Sequence, residues 1–262
     1  MMTAEEEHEL LIEAPAPGVR LLRLNRPMKR NALATPLLRL IADALAAGDE
    51  DPSVRAFVIT GGDKIFAAGA DINEMAPKQA PDSLADVRPL LWARIRKTRK
   101  PIVAAVEGWC LGAGNELLLC CDIAVASSSA KFGQPETNLG IIPGAGGGAT
   151  LARIVGRSRA MKMVLTGAAI TAEEALSYGL IAEISAPEKA THRAIELAGE
   201  IAARAPLAMQ QAKAVVNAAF DMPHDAHLAF ERQAFSLLFS TEDKKEGVSA
   251  FLEKRTPDWK GK

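Results

Sequence analysis

The chain has 262 residues, 48% of them apolar and 24% charged, and its 31 basic and 32 acidic residues leave a formal net charge of −1. A disordered chain would be poorer in apolar residues and further from neutrality, so this length and composition describe a globular chain with a large core. Near-neutrality gives no electrostatic footprint for nucleic acid. The three cysteines, Cys110, Cys120 and Cys121, are odd in number, two of them adjacent, and have neither a disulfide framework nor zinc-site spacing, which suits a reducing compartment. No run of 18 apolar residues predicts a membrane span. The acidic residues 1–9 have the features of neither a secretory signal nor a transit peptide, so the expected location is the cytoplasm.

In chain order, residues 19–24 read as a strand that stops at the turn signal Asn25-Arg26-Pro27. Thr35 as N-cap and Pro36 as first helical residue open a helix carrying Leu37, Leu38, Ile41 and Leu45, with Gly48 as its stop. Residues 56–60 are a short apolar strand closed by Gly61-Gly62. A helix is expected over 83–99, and its basic end (Arg94, Arg96, Lys97, Arg99, Lys100) reads as a solvated C-terminus. Pro101 launches a strand at 102–106; a helix follows at 113–120 and a strand at 123–126. Short apolar strands alternating with helices predict an α/β fold with strands buried on both faces. Beyond about residue 171 the pattern becomes helical, with helices expected at 188–204, 206–220, 224–240 and 241–253. The expected division is a core over 1–195 and a helical region over 196–262.

Chemistry-bearing residues cluster around two glycine-rich stretches, Gly112-Ala113-Gly114-Asn115-Glu116 and Pro143-Gly144-Ala145-Gly146-Gly147-Gly148. Glycine allows close backbone approach, and free N–H groups at a helix start point at whatever binds there. The relaxed dinucleotide pattern starting at Gly144 lacks a preceding strand, since Pro143 stands there. Glu116 lies in one of the most apolar parts of the chain, where a carboxylate is costly unless it is paired, solvated in a cleft or raised in pKa. Glu136 sits just upstream of the second stretch. Two glutamates beside glycine-rich loops suit general acid–base chemistry; the plainer alternative is a helix-start charge and a loop carboxylate. Small residues from Phe66 to Ile72 would let a backbone N–H reach a ligand.

In four blocks (Asn31-Ala32-Leu33, residues 66–75, residues 104–122 and residues 132–147) the chain resembles the crotonase, or enoyl-CoA hydratase/isomerase, superfamily, and the resemblance runs nearly end to end. It implies a crotonase-like spiral of ββα units with a C-terminal helical trimerisation region, and a homotrimer or a homohexamer built as a dimer of trimers. It implies an acyl-CoA thioester substrate, with coenzyme A as part of the substrate and with no separate cofactor, metal, nucleic acid or membrane partner. The backbone N–H groups of Ala70 and Ala113 would form an oxyanion hole. Glu116 and Glu136 would be the catalytic pair, and the Gly144 N–H would seat the water. Ala32, Lys29, Lys64, Asp71, Ile72, Asn73, Met75 and Trp92 would bind the substrate. Both glutamates together point to a hydratase giving 3-hydroxyacyl-CoA; an isomerase, a hydrolase or a non-catalytic, RNA-associating member is the alternative. The family's usual Gly at position 113 is Ala here, and Gly148-Ala149-Thr150 replaces the usual Thr-Gln-Arg. The segments Arg88-Pro89-Leu90-Leu91-Trp92-Ala93-Arg94 and Lys254-Arg255-Thr256-Pro257 resemble a bacterial branch acting on 2,3-dehydroadipyl-CoA in phenylacetate catabolism. For that substrate Arg88, Arg94 and Arg96 are the candidates to read the distal carboxylate.

Overall fold

The computed structural model describes residues 8–262, so the first seven residues of the acidic N-terminal stretch lie outside it. Strand β1 (Leu10–Ala16) turns at Gly18, whose φ of +75° favours glycine, into antiparallel β2 (Val19–Leu24). Helix α1 (Thr35–Glu50) leads to β3 (Ala56–Thr60) and β4 (Ile65–Ala67). Three short helices follow: α2 (Ile72–Met75), α3 (Ala80–Leu84) and α4 (Arg88–Arg96). Then come β5 (Ile102–Val106), β6 (Trp109–Leu111), α5 (Ala113–Leu118), β7 (Ile123–Ser127) and β8 (Lys131–Gly133). A 3-10 turn over Pro135–Leu139 precedes α6 (Ala149–Val155), α7 (Arg157–Thr166), β9 (Ile170–Thr171), α8 (Ala172–Tyr178) and β10 (Glu183–Ser185). The chain finishes in α9 (Ala190–Ala202), α10 (Pro206–Ala218), α11 (His224–Leu238) and α12 (Glu242–Glu253). No helix among the described residues is long and apolar enough to cross a membrane.

Among the described residues the strands form two sheets. The larger runs β1-β2-β3-β5-β7-β10, parallel from β2 onward; the smaller runs β4-β6-β8-β9, with β4, β6 and β8 parallel. This is the α/β spiral expected from the resemblance: β3–β4, β5–β6 and β7–β8 each send the first strand to the large sheet and the second to the small one. One apolar cluster fills the space between the sheets and α1, α4 and α5. On the other face of the large sheet, Ala190, Ala194, Ala198 and Ala202, spaced four apart along α9, pack on Val19, Leu21, Val58, Val103 and Val125. The boundary expected after residue 195 therefore falls inside a helix that covers the sheet.

Three local readings need correction. Gly48 does not stop α1. It lies inside the helix, and a Cβ there would be 2.5 Å from the Phe57 ring, so it is glycine for close packing. Thr35 is the first residue of α1, with Ala34 as its N-cap, and its hydroxyl and N–H bond Glu74 instead. The helix expected at 83–99 is two: Pro89 cannot extend an upstream helix, so α4 starts afresh at Arg88, whose N–H donates to Asp86 at 2.8 Å.

Candidate active site

Parallel pairing of β4, β6 and β8 brings the loops after all three strands to one end of the small sheet. The first loop carries Ala70, the second carries Gly112 and the start of α5, and the third carries Glu136 on its 3-10 turn. Gly112 (φ +51°) lets the Glu136 carboxylate lie over the chain, because a Cβ there would sit 2.9 Å from Glu136 Oε1. Gly114 lets α5 press on β4, since its Cβ would be 2.4 Å from the Ala67 carbonyl oxygen. The N–H groups of Ala70 and Ala113 donate to no other group among the described residues, and both residues line one cavity of about 770 Å³.

Glu116 and Glu136 face that same cavity. Glu116 is 4% exposed, and its Oε1 accepts the backbone N–H groups of Ala145 at 2.6 Å and Gly147 at 3.0 Å. The second glycine-rich stretch thus wraps one oxygen of the Glu116 carboxylate. Glu136 has no such clamp. Burial, augmented by the charge of Glu116 and opposed by its own backbone N–H, pushes its pKa up to about 7. A carboxyl group that holds a proton near neutrality beside a fixed second carboxylate is the arrangement general acid–base chemistry requires.

Sequence reasoning missed Gln134. It is fully buried, and the hydrogen-bond network orients its amide so that the NH₂ donates to Glu136 (3.1 and 3.2 Å) and the carbonyl accepts from Asn115 Nδ2 at 3.2 Å. It therefore ties the Glu136 turn to α5. Its only sequence signal is its place between Gly133 and Pro135.

Ala70, Ile72, Met75, Trp92, Ala113, Glu116, Glu136 and Gly144 all line the cavity. Ala32, Lys29, Lys64, Asp71 and Asn73 lie outside its walls. Asp71 pairs with Arg26 at 3.1 Å and caps α2 through the Asn73 N–H, while Lys29 and Lys64 are exposed. Of the three arginines, Arg88 lines the cavity, Arg94 pairs with Asp43 at 2.7 Å, and Arg96 donates to the Ala145 carbonyl at 3.1 Å.

Residues 15–262 match the family model described as enoyl-CoA hydratase/isomerase. The 2,3-dehydroadipyl-CoA hydratase of Escherichia coli strain K12 is 49% identical over 252 residues, covering 96% of this chain and 99% of that protein. The mitochondrial enoyl-CoA hydratase of Pongo abelii is 44% identical over 242 residues, covering 92% and 83%. The crystal structure of an enoyl-CoA hydratase subunit I from Geobacillus kaustophilus HTA426 superposes with a TM-score of 0.93 at 41% identity, covering 97% of this chain and 99% of that one. Sequence and fold agree along nearly the full length, and the chain belongs to the enoyl-CoA hydratase/isomerase family.

Proposed function

We propose that this chain is an enoyl-CoA hydratase that adds water syn across a trans-2-enoyl-CoA to give the 3-hydroxyacyl-CoA. The observation that carries this reading is the pair of carboxyls facing one cavity in different environments, Glu116 clamped by two N–H groups and Glu136 with its pKa raised to about 7. Water attacks C3 as the Glu116 carboxylate takes its proton. The electron pair of the double bond moves onto the thioester carbonyl, where the Ala70 and Ala113 N–H groups stabilise the enolate oxygen. Protonated Glu136 delivers its proton to C2 on the same face, and the Gly144 N–H helps to seat the water. The net change adds H and OH, and a proton passing from Glu116 to Glu136 resets the site. Coenzyme A is the handle of the substrate, held along the loop that carries Ala70 with Ala32, Lys29 and Lys64 near its polar end, so the chemistry calls for no separate cofactor. A dicarboxylic thioester of the dehydroadipyl type is the favoured substrate, supported by the name of the 49% identical relative. The cytoplasm is the favoured location, and a trimer or a dimer of trimers the favoured assembly.

The test is loss of the enoyl-thioester absorbance with crotonyl-CoA. Release of free CoA thiol would favour a hydrolase, and migration of the double bond without uptake of water would favour an isomerase.

A further inference from the structure

We propose that Arg88 binds the distal carboxylate of a dicarboxylic enoyl thioester and thereby sets the acyl preference of the cavity; this rests on the hydratase reading above. Arg88 opens α4, its side chain is 14% exposed, and it lines the cavity with Met75 and Trp92. Its Nη1 donates to the Leu33 carbonyl at 3.0 Å. The nearest anion, Glu74, stands 3.6 Å away, too far for a hydrogen bond. The same Glu74 oxygen accepts from the Thr35 N–H and hydroxyl, each at 2.8 Å. The Arg88 Nε and Nη2 donors have no partner among the described residues. A buried guanidinium with one edge free is built to take a carboxylate in two parallel hydrogen bonds.

The other cation in the cavity wall is already committed. Lys78 is held by Asp86 at 2.6 Å, and Asp86 also accepts the Arg88 N–H. Arg94 and Arg96 are tied to Asp43 and to the Ala145 carbonyl. Arg88 lines the same cavity as Glu116 and Glu136, so an anion bound to it shares that cavity with the reacting carbons. Without Arg88, that anion would enter a wall already holding Glu74, Asp86 and Glu116. Burying a charge there unpaired is costly, and a monocarboxylic acyl chain escapes that cost.

The experiment compares kcat/KM for crotonyl-CoA and 2,3-dehydroadipyl-CoA in the wild-type chain, Arg88→Gln, Arg88→Lys and Lys78→Ala. In Arg88→Gln the diacid is expected to lose at least about tenfold more than crotonyl-CoA, the scale of a hydrogen bond to a charged group. Arg88→Lys should recover part of that ratio, and Lys78→Ala should leave it within about threefold. Equal losses on both substrates in Arg88→Gln would assign Arg88 a structural role and overturn the inference, as would a selective loss in Lys78→Ala. Should Arg88→Gln fail to fold, the wild-type chain is assayed with the distal methyl ester of the same thioester, and parity between acid and ester overturns the inference. Wild-type protein that hydrates crotonyl-CoA but not the diacid overturns this inference alone, whereas inertness toward both overturns the hydratase reading.

Discussion

At the scale of single residues, the two glutamates differ in their surroundings, and the different roles proposed for them rest on that difference. Glu116 accepts two backbone N–H groups from one loop, which fixes its orientation, while Glu136 is raised by burial. Glu116→Gln and Glu136→Gln are each expected to lower kcat by at least about 100-fold, the lower range for loss of an acid–base group; hydration near the wild-type rate by either variant would remove the assigned roles. The pH dependence has a definite sign. Hydration needs the glutamate pair to hold one proton, on Glu136, and dehydration needs the same single proton on Glu116; the reaction takes up no net proton, so kcat/KM should fall as pH rises through about 7 in both directions alike. A kcat/KM that stays level or rises through that range would contradict this assignment. The glutamates were legible in the sequence because a carboxylate in an apolar segment needs an explanation. Gln134 was not, because an uncharged amide before a proline is ordinary at a surface, and burial made it a bridge only once β8 had paired with β6.

At the scale of elements, the long helices and the five-residue strands were readable from periodicity, while the small-sheet strands were not. Strands β4, β6 and β8 have three residues each, too few to show an alternation, yet their parallel ends bring the site together. For the same reason the ββα repeat was hidden until the pairing was seen. The adjacent glycines of the second stretch show how alike residues differ in context. A Cβ on Gly147 would lie 2.4 Å from the Gln134 side-chain amide and 2.6 Å from Pro143 Cβ, and the Gly147 N–H binds Glu116. A Cβ on Gly148 would meet nothing within 4 Å, and its φ of −90° suits any residue. Gly147→Ala should therefore destabilise the chain by about 1–3 kcal/mol through overpacking and lower kcat. Gly148→Ala should stabilise it by about 0.4–1 kcal/mol by restricting the unfolded chain. Denaturant midpoints read both, and a neutral Gly147→Ala would show that the loop yields freely around Gln134.

At the scale of the whole molecule, composition excluded a nucleic-acid footprint but said nothing of assembly, because that depends on where apolar side chains end up. Helix α10 has no buried residue, and in α11 the buried residue is Ala234. Phe251 is 83% exposed and Leu252 74%, and Phe220, Phe235, Phe239 and Val248 are also exposed on this helical region. A groove of about 370 Å³ between α10, α11 and α12 is lined by Leu207, Phe235, Leu238, Phe239, Val248 and Trp259. The helices are nevertheless anchored: Asp243 is buried and accepts the Lys260 and Gly261 N–H groups, and the Trp259 indole donates to the Ala203 carbonyl. An anchored helical layer with its aromatic side chains in water is the signature of a surface that another protein chain covers. Self-association into a trimer or hexamer is the expected outcome, so sedimentation at micromolar concentration should give a mass of three or six chains. Phe251→Asp paired with Leu252→Asp should shift that mass downward, because a charge buried at an interface without a partner is costly. The core enclosed by the two sheets contains neither residue, so the far-ultraviolet spectrum should keep its shape. A chain that sediments as a monomer at that concentration, or a double variant that assembles like the wild type, would show that this helical surface is not where copies meet.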